Sequence, residues 1–322
     1  MAEQTMNQPQ NYPDDEIDLR ELFSTLWQGK WLIIACTIIC AAVGIAYALY
    51  KPNIYQASVL LAPAQDDSRA NGLPGQLGGL ASLAGINIGG GSSNKTVIAK
   101  ETLQSRAFLT DFIHRHNLSV PLMASKSWSM NAQEWVIDPS IYNQQTGEWQ
   151  QDKAGKSLKP TNWDMVKRFR ELLSVRDNKD TGLVTVTIAS ESPVAAKQWL
   201  ELLIKDINEH MRQQDVREAG ASIAYLEGKL RETNISGMQQ VFYQLIENET
   251  RTVMLANAQR EYVFKTVDPA VVPQEKSEPK RGLIIALSTM LGGMVGVSVI
   301  FVIVFIRSTR RKTEMPPNIE AH

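Results

Sequence analysis

The chain has 322 residues and a formal net charge of −1, so no basic excess argues for nucleic-acid binding. Its two cysteines, Cys36 and Cys40, share one apolar block, and the rest of the chain therefore holds neither a disulfide scaffold nor a thiol nucleophile. Hydrophobic residues amount to an ordinary 43%, but they are concentrated in two blocks separated by a long polar stretch.

Residues 1–13 are polar, rich in Gln, Asn and Pro, and read as disordered. From Glu16 the pattern Ile17, Leu19, Leu22, Phe23, Leu26, Trp27 predicts a short amphipathic helix leading to a membrane. The first apolar block, Trp31 to Tyr50, carries no charge and has aromatic residues at both ends (Trp27 and Trp31, Tyr47 and Tyr50). About 20 helical residues cross the roughly 30 Å of a bilayer core, so this block predicts a transmembrane helix. Ala46-Tyr47-Ala48 resembles a signal-peptidase site, but the polar, acidic leader with Asp14, Asp15, Glu16 and Asp18 is unlike a signal peptide.

Beyond the span, Tyr55 to Leu61 alternates as a strand does. Asn71 to Ser93 is rich in Gly, Ser and Leu and reads as a long loop; it contains no phosphate-binding Gly-Lys-Ser/Thr string. Ser93 or Asn94 caps a predicted helix reaching His116, with Val97, Ile98, Leu103, Phe108, Leu109, Phe112 and Ile113 on its buried face. Trp128, Trp135 and Trp149 stand among polar residues; spaced aromatics either anchor a small irregular subdomain or stack on sugar rings. Asn162 to Leu173 predicts a helix, and Leu183 to Ala189 a strand with Val184, Val186 and Ile188 on one face.

Ser192-Pro193 has the form of an N-cap followed by Pro at the first helical position. The helix it opens runs to about Arg231, a rod of roughly 58 Å. Its apolar stripe is Leu200, Leu203, Ile204, Ile207 and Met211, extended by Ile223, Leu226 and Leu230, with Gly220 the expected place for any break. A rod of this length needs a neighbour, and packing against other copies is the expected solution. Asn234 to Gly237 reads as a turn, Met238 to Gln259 as a returning helix, and Tyr262 to Val267 as a closing strand. The Pro-rich segment from Pro269 to Pro279 leads to the second charge-free block, Leu283 to Ile306, which is followed by Arg307, Arg310, Arg311 and Lys312.

The sequence assigns no catalytic, cofactor-binding or metal-ligating residue. His114-Arg115-His116 lies on a helix, where residues two apart do not face each other, so these are expected at the surface. Neither a nucleophile elbow nor a metalloprotease His pair is present. A binding or assembly device is expected, not an enzyme.

Three stretches carry a resemblance. They are the leader Glu16-Ile17-Asp18-Leu19-Arg20-Glu21-Leu22, the run Val267-Asp268-Pro269-Ala270-Val271-Val272-Pro273 with Ser277-Glu278-Pro279-Lys280-Arg281 after it, and Gly292-x-x-x-Gly296 in the second span. Together with the order of elements they resemble the bacterial Wzz-type polysaccharide co-polymerases, the chain-length determinants of lipopolysaccharide O-antigen, over nearly the whole chain. The family's Ser and Pro are adjacent where Glu278 intervenes here. The resemblance implies an α+β membrane protein, with two transmembrane helices flanking a periplasmic domain that has a small α/β membrane-proximal base and a very long projecting helix.

The domain plan is then a cytoplasmic segment 1–30, transmembrane helix 31–50, periplasmic domain 51–282, transmembrane helix 283–306 and cytoplasmic tail 307–322. The periplasmic domain is expected to hold base strands near 55–61, 183–189 and 262–267, the long helix 193–231 and the returning helix 238–259. The implied location is the inner membrane with both termini cytoplasmic, which the basic flanks favour slightly. The implied partners are further copies in a ring, a Wzy-type polymerase, undecaprenyl-pyrophosphate-linked polysaccharide and membrane lipid. Pro269, Pro273, Ser277 and Pro279 form the family's Pro-rich motif. Gly292, Gly293 and Gly296 are the candidates for close helix packing, between the two spans or against the polymerase.

Other classes share parts of this plan. A membrane adaptor for capsule or exopolysaccharide export working with a separate tyrosine kinase has the same two spans. An efflux-pump adaptor and a two-pass receptor are the remaining alternatives.

Overall fold

The structure, a computed structural model, describes residues 26–64 and 91–313. The leader helix expected at 17–27 lies outside the described residues but for its end, and the glycine-rich stretch 71–90 lies outside them entirely. The chain divides into two compact units, one of residues up to Lys51 together with those from Pro279 on, the other Pro52–Glu278.

The first unit is a pair of helices, α1 (Lys30–Tyr50) and, at the far end of the chain, a helix over Arg281–Thr313. Each contains a window of mean hydropathy 2.5, and both leave most of their side chains uncovered. Helices with such uncovered apolar surfaces, long enough to cross a bilayer, are candidate membrane spans.

The second unit is built on β1 (Tyr55–Pro63), which lies between two strands supplied much later in the chain. The other elements in chain order are α2 (Gly91–Gln104), α3 (Arg106–Arg115), α4 (Ser119–Met123), β2 (Ser125–Ser129), β3 (Glu134–Ile137), β4 (Tyr142–Asn143), β5 (Glu148–Trp149), α5 (Asn162–Leu172), β6 (Leu173–Asp177), β7 (Val184–Ser190), α6 (Pro193–Glu232), α7 (Ser236–Ala258) and β8 (Phe264–Asp268). The Arg281–Thr313 helix is α8. The main sheet has the order β6-β7-β1-β8, antiparallel throughout. Ala57, Val59 and Leu61 of β1 lie opposite Ile188, Val186 and Val184 of β7, and these six are buried. Period-two alternation thus gives the sheet one apolar face.

Helices cover that face. Ser192 Oγ accepts from the Ala195 N–H at 3.1 Å and starts α6. Trp199, Leu200, Leu203, Ile204, Ile207 and Met211 of α6 then enter the core beside Phe112 and Phe169. Phe112 and Phe169 meet edge to face with centroids 5.4 Å apart. Helix α5 opens with a capping box between Thr161 and Asp164. Its Arg170 donates from Nε to the Gln104 carbonyl at 2.8 Å, satisfying the end of α2.

Several readings from the sequence need correction. The helix expected from Ser93 or Asn94 to His116 is two helices. Ser105 is extended (φ −69°, ψ 147°) and caps α3 by accepting from the Phe108 N–H at 3.2 Å. Val97 and Ile98, expected inside, are 49% and 43% exposed, and Thr96, Ala99 and Leu103 are the inward residues of α2. Strand β6 was not expected at all. It starts where α5 stops, because Leu173 is extended (ψ 129°) and continues the chain as a strand. The turn from β6 into β7 is closed by Asn178, whose Oδ1 accepts from the Asp180 N–H at 3.0 Å, and by Gly182 at φ 69°. Helix α6 runs through Gly220 and Gly228 without interruption over 40 residues, about 60 Å.

Candidate assembly surfaces

The first surface lies between α1 and α8. A Cβ placed on Gly292 would stand 2.7 Å from Cys40 Cβ and 3.0 Å from Thr37 Cα. One on Gly296 would stand 2.9 Å from Ile33 Cα. Gly44 of α1 abuts Ser288 of α8, and Gly29 abuts Ile300. These contacts run in opposite chain directions, so the helices are antiparallel and small residues set their close approach. Gly293 stands apart from its neighbours, with Thr37 Oγ1 at 3.9 Å the nearest atom to its would-be Cβ. Of the three candidate glycines, then, two face α1 and one sits at the margin. The opposite side of α8, with Leu283, Leu287, Met290, Leu291 and Met294, is exposed.

The second surface is the helical hairpin. The buried stripe of α6 ends at Met211, and beyond it only Ala219 on α6 and Ala256 on α7 are fully covered among the described residues. Arg212 Nη1 donates to Asn257 Oδ1 at 2.9 Å across the base of the hairpin. Tyr225, Met238, Val241, Tyr243, Leu245 and Met254 are exposed. Met238, Val241 and Leu245 follow a three-four spacing and so form one stripe on α7.

The Pro-rich motif closes the second unit on itself. The Ser277 N–H donates to the Ile54 carbonyl at 2.8 Å, and the Ile54 N–H donates to the Glu278 carbonyl at 2.9 Å. The residues where the chain enters and leaves this unit are thereby held side by side. Pro269 lines a cleft of about 610 Å³ together with Val59, Ile204, Asn208 and Thr266, and Ala270 beside it is buried. Pro273 is half-buried, and Pro279 belongs to the first unit.

Several chemistry-bearing side chains among the described residues are engaged in structure. Among the described residues no group of three or more His, Cys, Asp or Glu is arranged to hold a metal ion. His116, expected at the surface, has a largely covered side chain, and its Nε2 lies 3.0 Å from Oδ2 of the buried Asp206. Arg115 Nη1 donates to the same oxygen at 3.2 Å. His210 stands edge-on to Phe108, and burial lowers its pKa, with the charge of Arg217 acting the same way. Lys95 Nζ stands 2.9 Å from Asp215 Oδ2, to which the Tyr262 hydroxyl also donates at 2.5 Å. Burial, then that hydrogen bond, push the Tyr262 phenol up to about 12.

Asp206 and Asn208 were missed in the sequence. They are polar positions within the buried half of α6, and nothing in the pattern separates them from solvent-facing ones.

Residues 15–116 match the family model for Wzz, chain length determinant protein. Residues 232–305 match the model for GNVR, a G-rich domain on putative tyrosine kinase. The chain length determinant protein of Escherichia coli K12 is 22% identical, over 90% of this chain and 93% of its own. That of Salmonella typhimurium LT2 is also 22% identical, over 89% of this chain and 91% of its own. A solved full-length bacterial polysaccharide co-polymerase is similar at 15% identity, covering 91% of this chain and 99% of that one, with a TM-score of 0.38. A fragment of WzzB, the polysaccharide co-polymerase from Salmonella Typhimurium, covers 70% of this chain and 100% of its own at 12% identity, with a TM-score of 0.33.

Proposed function

We propose that this chain, a relative of the polysaccharide chain length determinants with a Wzz domain at its N-terminal end, sets the modal length of a surface polysaccharide, specifically lipopolysaccharide O-antigen. It acts as a non-catalytic, homo-oligomeric partner of a Wzy-type polymerase that extends undecaprenyl-pyrophosphate-linked repeats. The observation that carries this reading is the alignment of chain length determinant proteins along about nine-tenths of the chain. The exposed apolar stripe on α7 supports oligomerisation, since a long helix with Met238, Val241 and Leu245 uncovered has apolar surface left for another copy.

The main domain is proposed to lie in the periplasm, with both termini cytoplasmic and the chain anchored in the inner membrane. Basic residues Arg307, Arg310, Arg311 and Lys312 after the second span support that orientation. Alkaline phosphatase fused after residue 236 is then active, and fused at residue 322 is inactive; the reverse pattern overturns the topology.

The deciding experiment is a gel of surface polysaccharide from a deletion strain and a complemented strain. Loss of a modal band cluster, replaced by a smooth decay of ladder intensity, is the expected result. An unchanged ladder overturns the O-antigen reading.

The match of residues 232–305 to a domain described on putative tyrosine kinases favours one second reading. In it the chain is a membrane adaptor for capsule or exopolysaccharide export and works with a separate kinase. Recovery of a tyrosine kinase with the full-length protein, together with lost capsule and an intact O-antigen ladder on deletion, selects that reading.

A further inference from the structure

Three tryptophans of the second unit come together on a line from its core to its surface. Trp128 and Trp135 are directly paired across the β2–β3 hairpin, with ring centroids 5.1 Å apart and planes at 72°. Trp135 lies parallel to Trp199 of α6, centroids 6.0 Å apart at 15°. Trp199 is buried, and Trp135 and Trp128 are half-buried, so the indoles form a continuous path from the core outward. They floor a cleft of about 460 Å³, a size ordinary for small-molecule sites.

The walls carry Gln133, Gln144 and Gln198, with the exposed carboxylate of Glu134 as the one charged side chain among them. Their side-chain amides bond to no other group among the described residues, and neither do the indole N–H groups of Trp128 and Trp135. Gln133 is also one of only two non-glycine residues with positive φ among the described residues, at 53°. That conformation is disfavoured for a side chain of this kind, and such strain collects at binding positions.

We infer that this Trp128–Trp135–Trp199 cleft is a binding site for pyranose units of a neutral polysaccharide. A pyranose has an apolar C–H face, which matches an indole face, and a rim of hydroxyls that both donate and accept. Each glutamine amide supplies a donor and an acceptor to meet that rim. No Lys or Arg lines the cleft, so a phosphate or nucleotide finds no counter-charge there. The choice of a polymer over a free sugar rests on the proposed role in chain-length control. Such a site gives the growing chain a place to rest on the scaffold, and repeated weak contacts lengthen its stay.

Saturation-transfer difference NMR tests this. The full-length protein in lipid nanodiscs is mixed with the host's own surface polysaccharide, delipidated and purified. Wild-type protein is expected to transfer saturation to the sugar ring protons. Trp128→Ala, and separately Gln144→Ala with Gln198→Ala, are expected to weaken binding roughly ten-fold or more. The two glutamines are exposed, so that pair leaves the fold intact even where Trp128→Ala does not. Trp163→Ala, which removes an exposed indole elsewhere, leaves the signal unchanged. No transfer from wild-type protein, or transfer that survives the Gln144/Gln198 change, overturns the inference. A ladder that depends on this chain without any saturation transfer removes the cleft and leaves the chain-length reading standing. Variant-sensitive transfer with an unchanged ladder keeps the glycan site and removes that reading.

Discussion

The side-chain amide of Asn208 meets Phe264 as a neighbouring strand would. Oδ1 accepts from the Phe264 N–H at 2.9 Å and Nδ2 donates to the Phe264 carbonyl at 3.1 Å. The same oxygen accepts from the Val263 N–H at 2.8 Å, and the amide nitrogen also donates to the Ile204 carbonyl at 3.2 Å. Strand β8 is the edge of the main sheet, and Asn208, itself buried, pins its first residue to α6. Asn208→Ala leaves two buried N–H groups without acceptors and is expected to cost about 2–4 kcal/mol. Asn208→Asp keeps the acceptors, loses both donors and brings a charge into the core, and is expected to be no better. Thermal unfolding of the full-length protein in detergent checks both; a midpoint unchanged in Asn208→Ala would show that water replaces the amide.

Close packing of α1 and α8 predicts that the three glycines respond differently. Gly292→Leu and Gly296→Leu drive the helices apart, because backbone atoms of Thr37 and Ile33 stand about where the new side chain begins. Gly293→Leu is tolerated, its nearest neighbour being the Thr37 hydroxyl. Cys36 and Cys40 are partly covered and serve as reporters. Their labelling by N-ethylmaleimide is expected to rise several-fold in the first two variants only.

Charges on the α7 stripe test the proposed oligomer. Val241→Glu with Leu245→Glu changes two exposed positions, where a substitution usually moves monomer stability by under about 0.5 kcal/mol. Light scattering after size-exclusion chromatography is expected to show a smaller assembly for the variant, with an unchanged far-ultraviolet spectrum. Wild-type and variant assemblies of equal mass would place the self-association elsewhere.

Glu191 supplies a pH test. Burial raises its pKa above the usual 4.5, and Arg168 only partly offsets this. The folded state therefore holds the proton more tightly than the unfolded one. Its contribution is fully present below pH 4.5 and is lost as pH rises through the folded pKa. Glu191→Gln is expected to raise the unfolding temperature at pH 7 and to give no gain at pH 4. An equal gain at both would mean that packing, and not charge, is responsible.

Gly220 lies in the middle of α6 with open space where a Cβ would be. Gly220→Ala is expected to stabilise the helix by about 1 kcal/mol. A loss of stability or of modal-length control with Gly220→Ala would instead mark a working bend at this position.

The elements with one dominant period were legible in the chain. Both candidate spans, β7, and the start of α6 at Ser192-Pro193 follow from charge-free length, strict alternation and capping chemistry, all of which are local. The break at Ser105 also has local chemistry, but a continuous apolar pattern across it read as one helix. Strand β6 was illegible because Leu173 to Asp177 gains its strand partner only from β7, and the preceding helix pattern runs into it without a stop signal. Val97 and Ile98 were misplaced for a related reason. Hydrophobicity says that a residue prefers burial, but the position of α6 and the sheet decides which face of α2 receives it. The amide ladder of Asn208, the Asp206 pairing and the meeting of Trp128 and Trp135 with Trp199 depend on residues far apart in the chain. A sequence states the chemistry of each such group; only the packed fold fixes the distances over which those groups act.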